Sequence, residues 1–262
     1  MTRISLPGHM DEGTPTPFGS LGDVRRAGDV LRRAQSAQEP LPSPTQVQHA
    51  RGLVEAYRSA HAAPLDAAYM ELQSCLTLEG LEVDLSRRLK RLPTIEDKLR
   101  RLPTMDLSTM QDIGGCRAVL GSQDEVERVV ARFCANSLER NNRADRVRNY
   151  VTQPQESGYR AIHIYTRYQG RRIEVQLRTR EQDGWAKIVE DLTSRTGIDF
   201  KSGDGPEEVH DQLRNLGELL SIREYGKPPS EDLLDALTRL AAVSALGFAV
   251  QSIREADDSE EG

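Results

Sequence analysis

The chain is poor in cysteine and in aromatic residues, and it has no long hydrophobic run. Its 262 residues include three cysteines, and aromatic residues make up 5% of the total. So few scattered cysteines exclude a disulfide framework or a cysteine-rich metal cluster, and a reducing, cytoplasmic location is expected. The most apolar stretch, residues 233–250, is interrupted by Asp235 and Arg239 and falls short of the ~20 apolar residues of a membrane span. The N-terminus lacks the apolar core of a secretory signal, so neither secretion nor a membrane partner is expected.

Charge is unevenly distributed along the chain. The net charge is −6, yet residues 87–180 contain 20 Lys and Arg against 11 Asp and Glu. A positive centre inside an acidic protein suits a compact anionic ligand better than a long nucleic-acid duplex.

Hydrophobic periodicity and turn residues predict one central sheet between helical segments. Residues 1–45 are rich in proline and glycine and are expected to be a flexible leader with one short helix at about 23–37. Residues 46–200 should form the main domain, residues 201–254 a helical extension, and residues 255–262 an acidic tail. Strands are predicted at 81–85, 112–120, 146–151, 159–168 and 171–178, the last two joined by a hairpin turn at Gln169-Gly170. This order predicts an α+β fold with a single mixed sheet flanked by helices.

The strand at 171–178 alternates between apolar and polar residues. Ile173, Val175 and Leu177 share one face, which should be core. The opposite face carries Arg172, Glu174, Gln176 and Arg178. Two residues apart along the strand, these polar side chains should be held in fixed positions above the sheet.

A second carboxylate and an aromatic ring are predicted nearby. Asp112 opens the strand at 112–120, just before Gly114-Gly115, where missing side chains let a ligand approach. Tyr159 and His163 should share a face of the strand at 159–168. Two carboxylates from different strands suit Mg²⁺, which binds beside substrate phosphates, and arginines would neutralise charge on the transferring group. The pattern therefore predicts a site for a nucleotide polyphosphate with a metal ion.

Four motifs in this order resemble the RelA/SpoT-type alarmone synthetase domain. They are Arg88-Leu89-Lys90 with Thr94-Ile95 and Lys98-Leu99, Asp112-Ile113-Gly114-Gly115-Cys116-Arg117, Gly158-Tyr159-Arg160-Ala161-Ile162-His163, and Glu174-Val175-Gln176-Leu177-Arg178-Thr179. The resemblance covers roughly residues 46–193, as in a stand-alone small synthetase. Two positions depart from the family pattern: Asn149 replaces an aspartate, and Gln155 replaces a lysine or arginine.

The resemblance implies a nucleotidyltransferase-like fold and a Mg²⁺-dependent transfer of the β,γ-pyrophosphate of ATP to a ribose 3′-hydroxyl, with release of AMP. It implies that Asp112 holds Mg²⁺ and that Glu174 shares the metal or acts as the base. It implies that Tyr159 stacks on the acceptor base. The resemblance also implies that Arg88, Lys90 and Lys98 bind ATP. The remaining polar residues that it implies line the site are Arg117, His163, Gln176 and Arg178.

Three functions stay open from the sequence. The acceptor could be GDP or GTP, which would make a guanosine alarmone, or the terminal adenosine of tRNA, which would make a translation-blocking toxin with a neutralising antitoxin partner. Both lead to growth arrest. A non-catalytic nucleotide-binding module is the third, although paired carboxylates facing a polyphosphate disfavour it. The apolar helix at 233–250 could also support a homo-oligomer.

Overall fold

A computed structural model describes residues 16–36, 40–141, 145–226 and 228–239, with the side chains of Arg140, Asn141 and Ser202 excepted. The chain divides into two compact units, one of Met1–Asn149 with Ala161–Thr179 and one of Tyr150–Arg160 with Arg180–Gly262. Within the described residues, no helix combines the length and the apolar character needed to cross a bilayer.

The first unit is built on a five-stranded mixed sheet, which confirms the predicted α+β class. Its strands are β1 Asp84–Leu89, β2 Gly114–Leu120, β3 Arg146–Asn149, β4 Ile162–Tyr168 and β5 Arg171–Thr179. They lie in the order β1-β2-β5-β4-β3. The β2–β5 pair is parallel and the other three pairs are antiparallel. The parallel pair lies at the centre of the sheet.

The predicted hairpin between β4 and β5 is confirmed. Gln169 has φ of 48° and Gly170 has φ of 74°, and the flanking residues Tyr168 and Arg171 pair directly. Two consecutive residues with positive φ form the turn whose twist matches that of the adjoining strands. The turn fixes the register of β5, and so decides which of its side chains face the core.

Helices cover parts of both units. In the first unit they are α1 Leu21–Gln35, α2 Pro44–Ser59, α3 Ala62–Leu78, α4 Leu92–Arg101 and α5 Gln123–Asn141. In the second unit they are α6 Arg180–Thr196 and α7 Glu207–Tyr225, and residues 231–239 are also helical. The part of the predicted helical extension after residue 239 and the acidic tail at 255–262 lie outside the described residues, as do residues 1–15 of the leader.

The helix predicted within the leader is present as α1, and one of its faces is packed into a hydrophobic core. Ser20 caps α1 through a reciprocal pair of bonds with Asp23. Val24, Ala27 and Leu31, at helical spacing, are at most 3% exposed and belong to a hydrophobic core shared with α2 and α4. The proline-rich composition hid this amphipathic stripe, whose burial stabilises the helix.

The apolar face of β5 is core, as predicted. Ile173, Val175 and Leu177 are fully buried, and α3 and α5 pack against this part of the sheet. The opposite face of the sheet carries the polar side chains of β5.

Three strands begin later than expected, the first of them β1, which spans Asp84–Leu89 instead of residues 81–85. β2 starts at Gly114, so Asp112 precedes it, and β4 starts at Ile162 rather than at residue 159. Before β4, Gly158 has φ of 88° and its amide donates to the carbonyl of Gln155. Because this turn consumes the backbone groups that a strand would pair, Tyr159 and His163 do not share a strand face, contrary to the prediction.

Candidate active site

The strand register assembles a polar surface on one face of the sheet. Residues paired across neighbouring strands project to the same face. One row across the sheet consists of Arg88, Gly115, Glu174, Tyr165 and Arg146, and the next consists of Ser86, Arg117, Gln176, His163 and Arg148. Several predicted site residues of this unit therefore lie side by side.

Asp112 lies just before β2 and binds two lysines. Its Oδ2 accepts hydrogen bonds from Nζ of Lys90 at 2.9 Å and from Nζ of Lys98 at 2.8 Å. The Asp112 side chain is 20% exposed. Its Oδ1 is buried and has no hydrogen-bond partner among the described residues. Burial alone would raise the pKa of Asp112, but the two ammonium groups outweigh it and hold the pKa below its usual value.

Glu174 is buried and fully hydrogen-bonded. It is 8% exposed. Its Oε1 accepts from Nδ1 of His163 at 3.0 Å, and its Oε2 accepts from the Gln176 amide at 2.8 Å. Burial would raise the pKa of Glu174, but the bond from His163 overcomes this, so the pKa lies below its usual value. The charge of Asp112 acts in the raising direction, which means that the two carboxylates lie close enough to interact.

Both carboxylates are thus ionised at neutral pH, and Asp112 retains one buried oxygen that could bind a cation. A buried acceptor without a partner costs free energy that a ligand can recover. Within the described part of the chain, no third His, Cys, Asp or Glu joins them in a metal-binding group.

The remaining predicted residues of this unit occupy the same surface. Arg88 is exposed and pairs in register with Gly115. A Cβ atom on Gly115 would meet only the carbonyl oxygen of Glu174, at 3.6 Å, among the described residues. Arg117 is half-buried and Arg178 is 3% exposed. Gly115 thus leaves room above the sheet between a guanidinium group and a carboxylate.

Tyr159 lies in the second unit. It is 7% exposed, and its ring centroid is 6.1 Å from that of Tyr150 and 5.9 Å from that of Trp185. Nζ of Lys201 lies 6.0 Å from the Tyr159 centroid. Base stacking by Tyr159 stays a prediction.

Sequence reasoning missed Tyr165 and Arg146. The Tyr165 hydroxyl lies 3.5 Å from Nδ1 of His163, and the Arg146 guanidinium carbon lies 5.0 Å from the centre of the Tyr165 ring. Tyr165 stands two residues after His163, so period-two alternation could have placed it on the polar face. Arg146 is brought there only by the pairing of β3 with β4.

Comparison with known proteins finds a matching family model and several similar proteins. The family model described as "Region found in RelA / SpoT proteins" matches residues 87–195. An uncharacterised protein of Mycobacterium tuberculosis is 32% identical over 198 residues, which are 74% of this chain and 66% of that protein. A GTP pyrophosphokinase of Bacillus subtilis is 30% identical over 144 residues, which are 51% of this chain and 64% of that enzyme. The chain thus spans a little under two thirds of the length of these curated relatives.

A solved structure supports the fold. The small alarmone synthetase 1 of Bacillus subtilis, crystallised with its product pppGpp, matches with a TM-score of 0.53 at 24% identity. The match covers 65% of this chain and 92% of that one. At this level of identity the likeness establishes the shared fold.

Proposed function

We propose that this chain is a pyrophosphokinase of the RelA/SpoT family, because that family's model matches residues 87–195. It transfers the β,γ-pyrophosphate of ATP to the ribose 3′-hydroxyl of GDP or GTP, makes a guanosine alarmone and releases AMP. The name of its Bacillus subtilis relative, GTP pyrophosphokinase, supports this acceptor.

One observation carries the proposal: a buried carboxylate oxygen of Asp112 has no partner among the described residues, although two lysines bind the other oxygen. This fits a divalent cation, because Mg²⁺ takes one or two protein carboxylates beside substrate phosphates. We infer that Asp112 holds Mg²⁺ through this oxygen, and that Glu174, whose two oxygens accept hydrogen bonds from His163 and Gln176, acts on the acceptor instead. The bound ion would neutralise charge that develops on the phosphoryl oxygens during transfer.

Glu174 acts on the acceptor. In the reaction, the 3′-oxygen forms a bond to the β-phosphorus of ATP. At the same time the β-phosphorus loses its bond to the oxygen that bridges the α- and β-phosphates, and AMP leaves with that oxygen. The proton of the 3′-hydroxyl passes to Glu174, which is ionised at neutral pH as a base must be. His163 and Gln176 fix the carboxylate through one bond to each oxygen. A fixed base raises the rate because it needs no reorganisation.

Basic residues bind the donor and acceptor phosphates. Lys90 and Lys98 meet at Asp112 from two different segments, and Arg88 is exposed beside the open position at Gly115. These three side chains bind the triphosphate of ATP, where positive charge lowers the barrier to transfer. The half-buried Arg117 and the buried Arg178 add positive charge on the same face of the sheet.

A label-transfer assay tests the function. ATP labelled in its β- or γ-phosphate is incubated with the chain and Mg²⁺, and GDP, GTP and deacylated tRNA are offered separately. Label on GDP or GTP with equimolar AMP is expected. Label on tRNA alone would replace the proposal with a translation-blocking toxin, and no transfer to any acceptor would leave a nucleotide-binding module.

A pair of isosteric variants links the assay to the site. Glu174→Gln removes the base without changing its size, and we expect a loss of about 10²–10⁴-fold, the usual contribution of general base catalysis. Glu127→Gln is the matched control, because Glu127 is exposed on α5 and, among the described residues, accepts a hydrogen bond from Gln123 on the same helix. Equal rates for the two variants would contradict the assigned role of Glu174.

A further inference from the structure

Two arginines of α2 contact the two segments that carry the lysines of the site. Nε of Arg58 donates to the backbone carbonyl of Lys90 at 2.7 Å. Arg51 donates to both carboxylate oxygens of Glu96, at 2.8 Å and 3.1 Å. Glu96 lies on α4, two residues before Lys98. Each lysine segment is therefore attached to the same helix.

The backbone at Lys90 is held from both sides. Its amide donates to the carbonyl of Ile113 at 2.8 Å, and its carbonyl accepts from Arg58. The Arg58 side chain is 24% exposed, and it also bonds Glu55 one turn earlier on α2. Fixing both backbone polar groups of Lys90 limits the directions from which its ammonium group can reach Asp112.

The position of α4 depends on tertiary contacts. With ten residues it is too short to be stable alone in water. Ile95 and Leu99 are fully buried in the core shared with α1 and α2. On its polar side, Glu96 is 8% exposed and receives a further bond from Gln35 of α1 at 3.2 Å. The two-pronged bond from Arg51 fixes the rotation of α4 about its axis, because parallel N–H···O bonds constrain direction as well as distance. That rotation decides where Lys98 points.

We propose that Arg51 and Arg58 are positioning residues of the nucleotide site. Arg58 acts through the carbonyl of Lys90, and Arg51 acts through Glu96 on Lys98. Together they set the placement of the two ammonium groups around Asp112 and thereby the affinity for the donor triphosphate. Only the identity of this ligand rests on the proposed function.

A double-mutant cycle tests the route of action. The dissociation constant of a non-hydrolysable ATP analogue with Mg²⁺ is measured for Arg51→Gln, Lys98→Gln and the double variant. Arg51→Gln alone should raise the dissociation constant about tenfold, which is a typical coupling between neighbouring residues. In the Lys98→Gln background, Arg51→Gln should cause no further increase. The pair Arg58→Gln and Lys90→Gln should behave in the same way, and Arg58→Lys should restore part of the affinity.

Two controls separate positioning from general loss of structure. Glu55→Gln removes the local partner of Arg58 and leaves its bond to Lys90, and Arg26→Gln removes an exposed guanidinium that pairs within α1. Neither should change the affinity. Amide hydrogen exchange should quicken in α4 but not in α5 when Arg51 is replaced.

Three outcomes would overturn the proposal. An Arg51→Gln loss that is as large in the Lys98→Gln background as in the wild type would refute the positioning role and leave the proposed function standing. An unchanged affinity and an unchanged rate of amide hydrogen exchange in both Arg51→Gln and Arg58→Gln would also refute the positioning role and leave the proposed function standing. A wild-type chain that binds no ATP analogue would refute the proposed function and this inference together.

Discussion

Replacing Asp112 with asparagine removes one negative charge and keeps the shape of the side chain. The structure predicts two separable consequences, one for activity and one for stability. A unit charge about 4 Å from a cation contributes about 4 kcal/mol at an effective dielectric constant near 20. Losing it corresponds to a rate reduction of roughly 10³-fold. We therefore expect pyrophosphate transfer by Asp112→Asn to fall by about that factor.

The cost to stability should be smaller. Asp112 accepts two charge-assisted hydrogen bonds, each of which contributes about 1.5–3 kcal/mol. The lysine side chains are 19% and 24% exposed, so both ammonium groups can turn toward water and recover part of the loss. The free energy of unfolding should therefore drop by roughly 1–3 kcal/mol, well below the sum of the two bonds. Urea unfolding measures this change.

Asp97→Asn is the matched control. Asp97 also pairs with two basic side chains, Arg100 at 2.8 Å and Arg101 at 2.9 Å, but on the more exposed surface of α4. Its transfer rate should stay within about twofold of the wild type, as for surface substitutions in general. The reasoning fails if Asp112→Asn stays folded and keeps more than about a tenth of the wild-type rate, which would limit the lost stabilisation to about 1.4 kcal/mol.

Three further predictions concern pH and backbone strain. Folding lowers the pKa of Glu174 below its ordinary value of 4.5. The resulting contribution to stability is present above pH 4.5 and is lost as the pH falls through the pKa of the folded state. The stability of Glu174→Gln should therefore depend less on pH in this acidic range. Burial lowers the pKa of His61 from 6.5 to about 4, so the unfolded chain binds the proton more readily than the folded chain does. Stability should therefore fall as the pH drops from 6.5 toward 4, and the stability of His61→Gln should lack this dependence on pH. An NMR titration that shows His61 charged at pH 6 in the folded protein would refute the prediction. Gly158→Ala should destabilise the fold by about 1–3 kcal/mol because φ is 88° and the new Cβ would lie 3.1 Å from the backbone of residues 213 and 214. A Cβ added at Gly184 in α6 would meet no atom within 4 Å among the described residues. Gly184→Ala should therefore raise the free energy of unfolding by up to about 1 kcal/mol, because alanine favours the helix. Thermal melts that rank Gly158→Ala above Gly184→Ala in stability would contradict the argument.

Local patterns predicted much of the sheet. Alternation along β5 correctly separated the buried Ile173, Val175 and Leu177 from the polar face, because side chains of a strand alternate strictly. The Gln169-Gly170 turn was predictable because few residue pairs accept positive φ twice in succession. Strand starts were less predictable. The turn at Gly158 gives no periodic signal, so Tyr159 was assigned to a strand it does not join.

The packed leader shows the limit of composition. Prolines and glycines before residue 45 suggested flexibility, yet α1 buries Val24, Ala27 and Leu31 in a core shared with α2 and α4. A segment of few apolar residues becomes ordered when other elements supply the rest of the core, and this depends on contacts far along the chain.

The sequence by itself determined which chemistry is present: two carboxylates, their basic partners and a polar strand face, since residue types and period-two spacing are local properties. The tertiary structure alone decided how these groups combine. It brought Lys90 and Lys98 to one oxygen of Asp112, left the other oxygen without a partner among the described residues, and placed His163 on Glu174. These contacts join residues that are 11 to 22 positions apart in the chain. Strand register and helix packing set them, and no local sequence pattern encodes register or packing.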